Sequence, residues 1–194
     1  IKKFPKKKKE ILFVGRLVSE KGADLYVQTL RSIASSFPNW KFGLIGSFRL
    51  GEDKNTNSYA QKVVKNFKEI GSQAKFYGFK NHEFVEEKMK TASIIVIPSI
   101  WEEPFGLVAA EAMSNGISII ASKVGGMSEI IGDNGVLIEN INYQKLKKNL
   151  IELLKNTLLR ESYQKKAWEN FKLSSALSGK KLDVYRRTIF QNYY

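Results

Sequence analysis

The chain has 194 residues, of which 43% are hydrophobic and 26% charged, with a formal net charge of +13, one histidine and no cysteine. This length and composition are typical of one globular domain with a sizeable core. Without cysteine, disulfides and cysteine-based metal or redox sites are excluded, and a single histidine makes a zinc site unexpected. No apolar run is long enough to span a membrane and no signal peptide is evident, so we predict a cytoplasmic protein.

The positive charge is concentrated at the two ends of the chain. Residues 1–9 carry six lysines and no acid, residues 141–194 carry a net charge of +8, and residues 10–140 carry −1. We interpret these basic ends as a solvated lysine-rich surface and a linker, and the alternative is contact with anionic lipid at the inner face of a membrane. The three tryptophans form no stacking row with basic residues, so a nucleic-acid partner is not expected.

Six short apolar runs predict β-strands, at residues 10–15, 41–46, 74–79, 93–98, 117–121 and 135–139. Between and after them, helices are predicted at residues 58–70, 82–91, 105–115, 142–172 and 179–191, and a first helix places Tyr26, Leu30 and Ile33 on one face. Strands and helices alternate through most of the chain. This pattern predicts an α/β fold, a Rossmann-like doubly wound parallel sheet of about six strands with helices on both sides.

Two cations, Arg16 and Lys21, follow the first predicted strand and its terminal Gly15. In doubly wound sheets, ligands bind at the carboxyl ends of the strands. Arginine can hold a phosphate through two parallel hydrogen bonds and lysine adds a point charge, so this pair suits a diphosphate. The alternative is two surface cations that pair with Glu20 or Asp24.

Two carboxylates, Glu103 and Glu111, follow the fourth predicted strand with seven residues between them. A carboxylate can accept hydrogen bonds from two neighbouring sugar hydroxyls. The helix that opens between them can bind a phosphate through unpartnered backbone N–H groups, those of Phe105, Gly106, Leu107 and Val108. This stretch predicts a site for a sugar joined to a phosphate. The alternatives are helix-dipole stabilisation by Glu103, a solvated Glu111 and a tight helix entry at Gly106.

These segments resemble, in order, the signatures of retaining glycosyltransferases of family 4, the glycogen-synthase-like group with the GT-B fold. The segment from Pro98 to Gly116 resembles their E-x7-E region, Phe13–Gly22 their phosphate-binding loop, and Ala121–Ile131 the segment after their fifth strand. Leu182–Tyr185 resembles their last helix. One departure is Ser118, where the family usually has proline. The motifs all belong to the C-terminal, donor-binding half of the GT-B fold.

The resemblance implies a nucleoside diphosphate sugar as donor, without an obligatory metal or other cofactor. It assigns Arg16, Lys21 and the helix N-terminus to the departing diphosphate. Glu103 then faces the sugar, and Glu111 the ribose hydroxyls. It places the nucleotide base beside the end of the third strand, at Phe79 and Lys80, with Gly46 on the same edge; a plain loop is the alternative there. Gly125-Gly126 is interpreted as a structural turn.

The predicted organisation is a basic linker at residues 1–9, a nucleotide-sugar-binding domain at 10–172, and a C-terminal helix at 173–194 that packs toward a missing N-terminal acceptor domain. Because the chain begins with Ile1, we expect a piece of a longer enzyme that transfers little sugar by itself. The full enzyme is expected to act in glycan, polysaccharide or lipopolysaccharide synthesis. The alternatives are a non-catalytic nucleotide-binding or interaction module and a membrane- or polyanion-binding domain.

Overall fold

The computed structural model describes residues 4–47, 54–103 and 105–171, with the side chains of 54–57 excepted. The predicted helix at 179–191 and the proposed C-terminal segment 173–194 lie outside the described residues. No helix in the described ranges combines the length and the apolar character that crossing a membrane requires.

Six parallel strands form one sheet in the order β3-β2-β1-β4-β5-β6. Their bounds are β1 Lys8–Val14, β2 Lys41–Ile45, β3 Ala74–Gly78, β4 Ala92–Ile97, β5 Ser118–Ser122 and β6 Val136–Ile138. This confirms the predicted fold class. Every residue of β4 is buried, as its nearly continuous apolar run predicts, because helices cover both faces of this central strand.

Seven α-helices of the described residues cover the sheet. They are α1 Ala23–Ile33, α2 Lys54–Lys68, α3 His82–Thr91, α4 Leu107–Ser114, α5 Met127–Ile131, α6 Tyr143–Lys155 and α7 Thr157–Asn170. One core cluster joins α1, α2 and α6 to the sheet, and the other joins α3, α4, α5 and α7 to the sheet. The sheet therefore has a hydrophobic layer on each face, as a doubly wound fold requires.

Helix α1 shows how the predicted apolar face is fixed on the sheet. Tyr26, Leu30 and Ile33 are all buried, as their helical spacing predicts. The Tyr26 hydroxyl lies 3.1 Å from the carbonyl oxygen of Ile11 and 3.0 Å from that of Gly43, so it has acceptors within the core. This contact anchors α1 over the middle of β1 and β2.

The single helix predicted at 142–172 is wrong, because the structure divides it into α6 and α7. Asn156 lies between them with a non-helical backbone, φ −97° and ψ 93°. Its side-chain oxygen accepts a hydrogen bond from the Leu159 N–H at 3.0 Å. An asparagine side chain can start a new helix in this way. The apolar residues continue at helical spacing across Asn156, so the sequence pattern did not show the break.

The basic N-terminal segment contacts the fold. Strand β1 begins at Lys8, two residues before the predicted start. Phe4 packs edge-on against Trp168 with ring centroids 5.8 Å apart. The Lys7 ammonium lies 3.1 Å from the carbonyl oxygens of both Met89 and Lys90. The part of this segment that is described is thus attached to the domain, and the boundary at residue 9 stays a prediction.

Candidate functional site

The carboxyl ends of the parallel strands bring the predicted site residues to one edge of the sheet. Backbone hydrogen bonds continue beyond the strands there. The Gly15 N–H donates to the Ile45 carbonyl at 3.1 Å, and the Gly46 N–H donates to the Gly78 carbonyl at 2.9 Å. The backbone N–H groups of these two predicted glycines therefore donate within the protein, and these bonds fix the loops that follow β1 and β2.

Lys21 and Glu103 come together at this edge, although they are 82 positions apart in sequence. Lys21 lies in a short 3-10 turn, Ser19–Lys21, after β1, and Glu103 lies in the loop after β4. The Lys21 ammonium contacts Glu103 Oε1 in a part-buried ion pair. The Ser99 hydroxyl donates to the same oxygen at 2.5 Å. A cation and a carboxylate predicted for neighbouring parts of one ligand thus touch each other.

Backbone contacts hold the loop of Glu103 from two sides. On one side, the Ile100 N–H donates to the Glu20 carbonyl at 2.9 Å, which ties this loop to the turn after β1. On the other side, the Gly126 N–H donates to the Glu103 carbonyl at 2.8 Å. A Cβ at Gly125 would lie 2.4 Å from that same carbonyl oxygen. The predicted structural turn at Gly125-Gly126 therefore also supports the backbone of Glu103.

The helix between the two carboxylates begins later than predicted. Gly106 has φ +51° and ψ +41°, a left-handed conformation, and α4 starts at Leu107 rather than at residue 105. Glycine adopts this conformation without the steric cost of a Cβ, so the tight helix entry is one reason for Gly106. Phe105 and Leu107 are 71% and 70% exposed, whereas Val108 is half-buried. The N-terminus of α4 thus lies at the surface.

Glu111 lies apart from the lysine–carboxylate pair, against the N-terminus of α3. Its Oε1 is 3.6 Å from His82 Nδ1, and Asn81 caps α3 by accepting from the Phe84 N–H at 3.1 Å. Burial raises the pKa of Glu111, while the charge of His82 acts to lower it and that of Glu86 to raise it. Glu111 is therefore half-buried, as its alanine-rich helix predicts.

The remaining predicted residues are exposed around this edge. Phe79 is 78% exposed after β3, and the Lys80 ammonium lies 5.3 Å from the centre of the Phe84 ring. Arg16 is also exposed. The pKa of Glu20 is lowered by hydrogen bonds to its backbone and to Ser19, and further by the positive charges of Arg16 and Lys21. Arg16 and Lys21 thus both act electrostatically on Glu20 in the turn after β1.

Sequence reasoning missed two side chains that contact the predicted carboxylates. Ser99 donates to Glu103, and His82 lies beside Glu111. Ser99 directly follows the strand predicted at residues 93–98, which signals a position at the ligand edge but not the contact with Glu103. His82 gave no such signal, since its contact depends on how α3 packs beside α4.

Comparison with known proteins supports a glycosyltransferase. The profile of the family described as glycosyl transferases group 1 matches residues 1–170. The lipopolysaccharide 1,2-N-acetylglucosaminetransferase of Salmonella typhimurium is 31% identical over 123 residues, covering 63% of this chain and 32% of that protein.

Solved structures share the fold. The C-terminal domain of a glycosyl transferase group 1 family protein from Francisella tularensis is 25% identical with a TM-score of 0.72, over 88% of this chain and 89% of that one. An Anabaena protein in complex with UDP and glucose has a TM-score of 0.71 at 24% identity, over 84% of this chain and 43% of that one. At 24% identity, the likeness to the Anabaena protein concerns the fold alone.

The extent of these matches defines what the chain corresponds to. The first curated relatives are 31–35% identical to it, and the chain spans only 32–42% of their length. Its match to a separately solved C-terminal domain is close to complete on both sides. The chain belongs to the group 1 glycosyl transferases, family 4, and corresponds to the C-terminal half of their GT-B fold.

Proposed function

We propose that this chain is the donor-binding domain of a retaining glycosyltransferase that uses a nucleoside diphosphate sugar. The observation that carries the proposal is the contact between Lys21 and Glu103 in the loops that enclose the carboxyl edge. A cation for a diphosphate and a carboxylate for a sugar therefore lie in one place. The first N–H groups of α4, which have no partner within the helix, add a phosphate-binding element close by in sequence.

Each predicted residue then has a role that fits its surroundings. Arg16 and Lys21 offset the charge of the diphosphate, and the N-terminus of α4 takes the distal phosphate. Glu111, half-buried beside His82, accepts hydrogen bonds from the two ribose hydroxyls. The base lies near the exposed end of β3, where Phe79 and Lys80 follow the strand.

In the reaction we propose, the bond between the anomeric carbon and the diphosphate oxygen breaks, and the electron pair leaves with the diphosphate. Arg16 and Lys21 stabilise that departing charge. The acceptor oxygen bonds to the anomeric carbon on the face that the diphosphate leaves, and its proton passes to the departing diphosphate. Glu103 keeps the sugar oriented while this exchange takes place.

The acceptor-binding half belongs to the remaining length of the relatives, and we propose that it closes over this domain. The chain alone is then expected to bind nucleotide and to transfer little sugar. A role in lipopolysaccharide or another glycan is suggested by the Salmonella relative, which is named as a lipopolysaccharide N-acetylglucosaminetransferase.

Calorimetric titration with UDP, GDP and ADP tests the proposal. We expect one of the three to bind, and Arg16→Ala to weaken it about tenfold or more, since hydrogen bonds to charged groups contribute about 1.5–3 kcal/mol. Glu111→Gln should weaken the same nucleotide less, because an amide still offers one acceptor oxygen. The control for Arg16→Ala is Arg31→Ala, because Arg31 is an exposed arginine on α1 that pairs with Glu69. The control for Glu111→Gln is Glu152→Gln on α6. Absence of binding to all three nucleotides would contradict the donor-site proposal.

A further inference from the structure

Ser99 lies where the central strand β4 passes into the loop that carries Glu103. Its side chain is completely buried, and its hydroxyl lies 2.5 Å from Glu103 Oε1 and 3.2 Å from the Glu20 carbonyl oxygen. A serine hydroxyl has one proton to donate, and a carboxylate at the shorter distance is the stronger acceptor. The proton of Ser99 is therefore directed to Glu103.

The two donors to Glu103 Oε1 differ in their freedom to move. Lys21 has a long flexible side chain that is 24% exposed, so its ammonium can turn toward a ligand. Ser99 has one rotatable side-chain bond and follows a strand that is paired on both sides, with β1 and with β5. When a diphosphate attracts Lys21, the Ser99 hydroxyl can keep its contact with the carboxylate.

We propose that Ser99 is a positioning residue for sugar recognition. Its hydroxyl fixes one oxygen of Glu103 while Lys21 is engaged by the diphosphate, and it leaves the other oxygen to accept hydrogen bonds from the sugar. This inference rests on the proposed donor site. It adds a neutral, buried side chain to a site otherwise described by its charged residues.

Removal of this hydroxyl leaves no buried polar group without a partner in the immediate surroundings. The Glu20 carbonyl still accepts from the Ile100 N–H at 2.9 Å, and Glu103 Oε1 still contacts Lys21. The cost of an unsatisfied buried group is therefore avoided, and we expect Ser99→Ala to fold. Any loss of sugar recognition then reports on the orientation of Glu103.

The binding experiment compares Ser99→Ala with Ser93→Ala. Ser93 is also buried, lies at the opposite end of β4, and donates to the Lys8 carbonyl at 2.6 Å, so the same chemical change is made far from the site. Affinities for UDP and UDP-glucose, and for GDP and GDP-mannose, are measured by calorimetry. We expect the ratio of sugar-nucleotide to nucleotide affinity to fall about tenfold in Ser99→Ala, the effect of one hydrogen bond to a charged group. In Ser93→Ala this ratio should stay at the wild-type value.

A second variant, Ser99→Cys, separates hydrogen bonding from packing. Cysteine keeps a side chain at this position, with a larger sulfur in place of the hydroxyl oxygen, but it is a weak donor, so it should behave like Ser99→Ala. If Ser99→Cys keeps the wild-type ratio, or if Ser93→Ala lowers the ratio equally, the inference is overturned.

A ligand-free measurement separates this inference from the proposed function. The chain is labelled with ¹³C in its glutamate carboxyl groups, and the Glu103 signal is assigned with Glu103→Gln. Ser99→Ala and Ser99→Cys should shift and broaden this signal, whereas Ser93→Ala should not. If no nucleotide binds the wild type, the donor-site proposal fails. The carboxyl signal then still decides whether Ser99 holds Glu103. A signal that is unchanged in Ser99→Ala would overturn the inference that Ser99 positions this carboxylate.

Discussion

At the residue scale, Lys21 and Glu103 form an ion pair, although the sequence assigns them to different parts of a ligand. Their side chains are 24% and 13% exposed, so the pair is only partly screened by solvent. A diphosphate that engages Lys21 has to compete with this carboxylate. In the proposed donor site, Glu103 therefore acts on nucleotide binding in two opposite ways, through the sugar and through Lys21.

Substitution of Glu103 by glutamine separates these two effects. The neutral amide holds the Lys21 ammonium less strongly, so we expect Glu103→Gln to raise the affinity for UDP, or for whichever nucleotide binds, by about threefold, within the range of a part-exposed ion pair. The additional affinity due to the sugar should fall. Glu102→Gln, at the exposed neighbouring position, is the control and should change neither quantity. A lower nucleotide affinity in Glu103→Gln than in the wild type would show that Lys21 is not held back by this pair.

At the element scale, the site depends on three loops that hold one another. The turn after β1 accepts from the loop after β4, and the turn after β5 donates to the same loop at Glu103. Apart from the 3-10 turn Ser19–Lys21, the described residues of these loops have no regular structure, so their mutual contacts determine where the carboxylate lies. The turn after β5 approaches the loop of Glu103 closely at Gly125, because a Cβ there would lie 2.4 Å from the Glu103 carbonyl oxygen.

Gly125→Ala should therefore displace the loop of Glu103. Gly71→Ala is the matched control: Gly71 also has a positive φ, +86°, but no atom lies within 4 Å of the added Cβ. In both variants an alanine with a left-handed backbone should lower the unfolding free energy, measured in urea, by about 1–2 kcal/mol. Only Gly125→Ala should also lose nucleotide-sugar binding in calorimetry. Equal nucleotide-sugar binding in the two variants would contradict a supporting role for this turn.

Element boundaries show where sequence patterns stop being informative. Apolar periodicity located six strands correctly to within two residues, because a buried strand needs a continuous apolar run. It joined α6 and α7 into one helix, since Asn156 interrupts the backbone while the apolar pattern continues. The left-handed backbone of Gly106 makes α4 begin at Leu107, although the residue types before it are compatible with a helix.

At the scale of the whole molecule, Lys7 attaches the N-terminal segment to two helix ends. Its ammonium lies 3.1 Å from the carbonyl oxygens of Met89 and Lys90 at the end of α3, and 2.6 Å from that of Asn115 after α4. Helices α3 and α4 carry His82 and Glu111 at the site, so this lysine fixes their far ends together. Burial lowers the pKa of Lys7 from 10.5 to about 7.

The lowered pKa of Lys7 predicts a pH dependence of stability. Between pH 7 and pH 10.5 the unfolded chain binds a proton at Lys7 that the folded chain does not, so the contribution of Lys7 to the unfolding free energy rises with pH. Below about pH 7 the cost of the buried charge is fully present. The unfolding free energy of the wild type minus that of Lys7→Met should therefore increase from pH 7 to pH 10. The exposed Lys6→Met is the control, and a difference that is flat for both variants would contradict the prediction.

The sequence by itself determined the fold class, the order of the strands and helices along the chain, and the residue types offered at the carboxyl edge. These features are local: apolar periodicity reports which segments are buried, and the spacing of Glu103 and Glu111 is read along one loop and helix. The family resemblance followed from the same contiguous motifs, and the match to group 1 glycosyl transferases confirmed it.

Only the tertiary structure decided which of these residues touch. Lys21 meets Glu103 across 82 positions, Ser99 meets Glu20 across 79, and Lys7 meets Asn115 across 108. Such contacts depend on the order β3-β2-β1-β4-β5-β6 and on how each loop leaves its strand. Periodicity carries no information on either, because it describes the burial of a segment and not its neighbours. For this reason the charged residues were predictable as candidates, whereas the ion pair and the buried serine beside it were not.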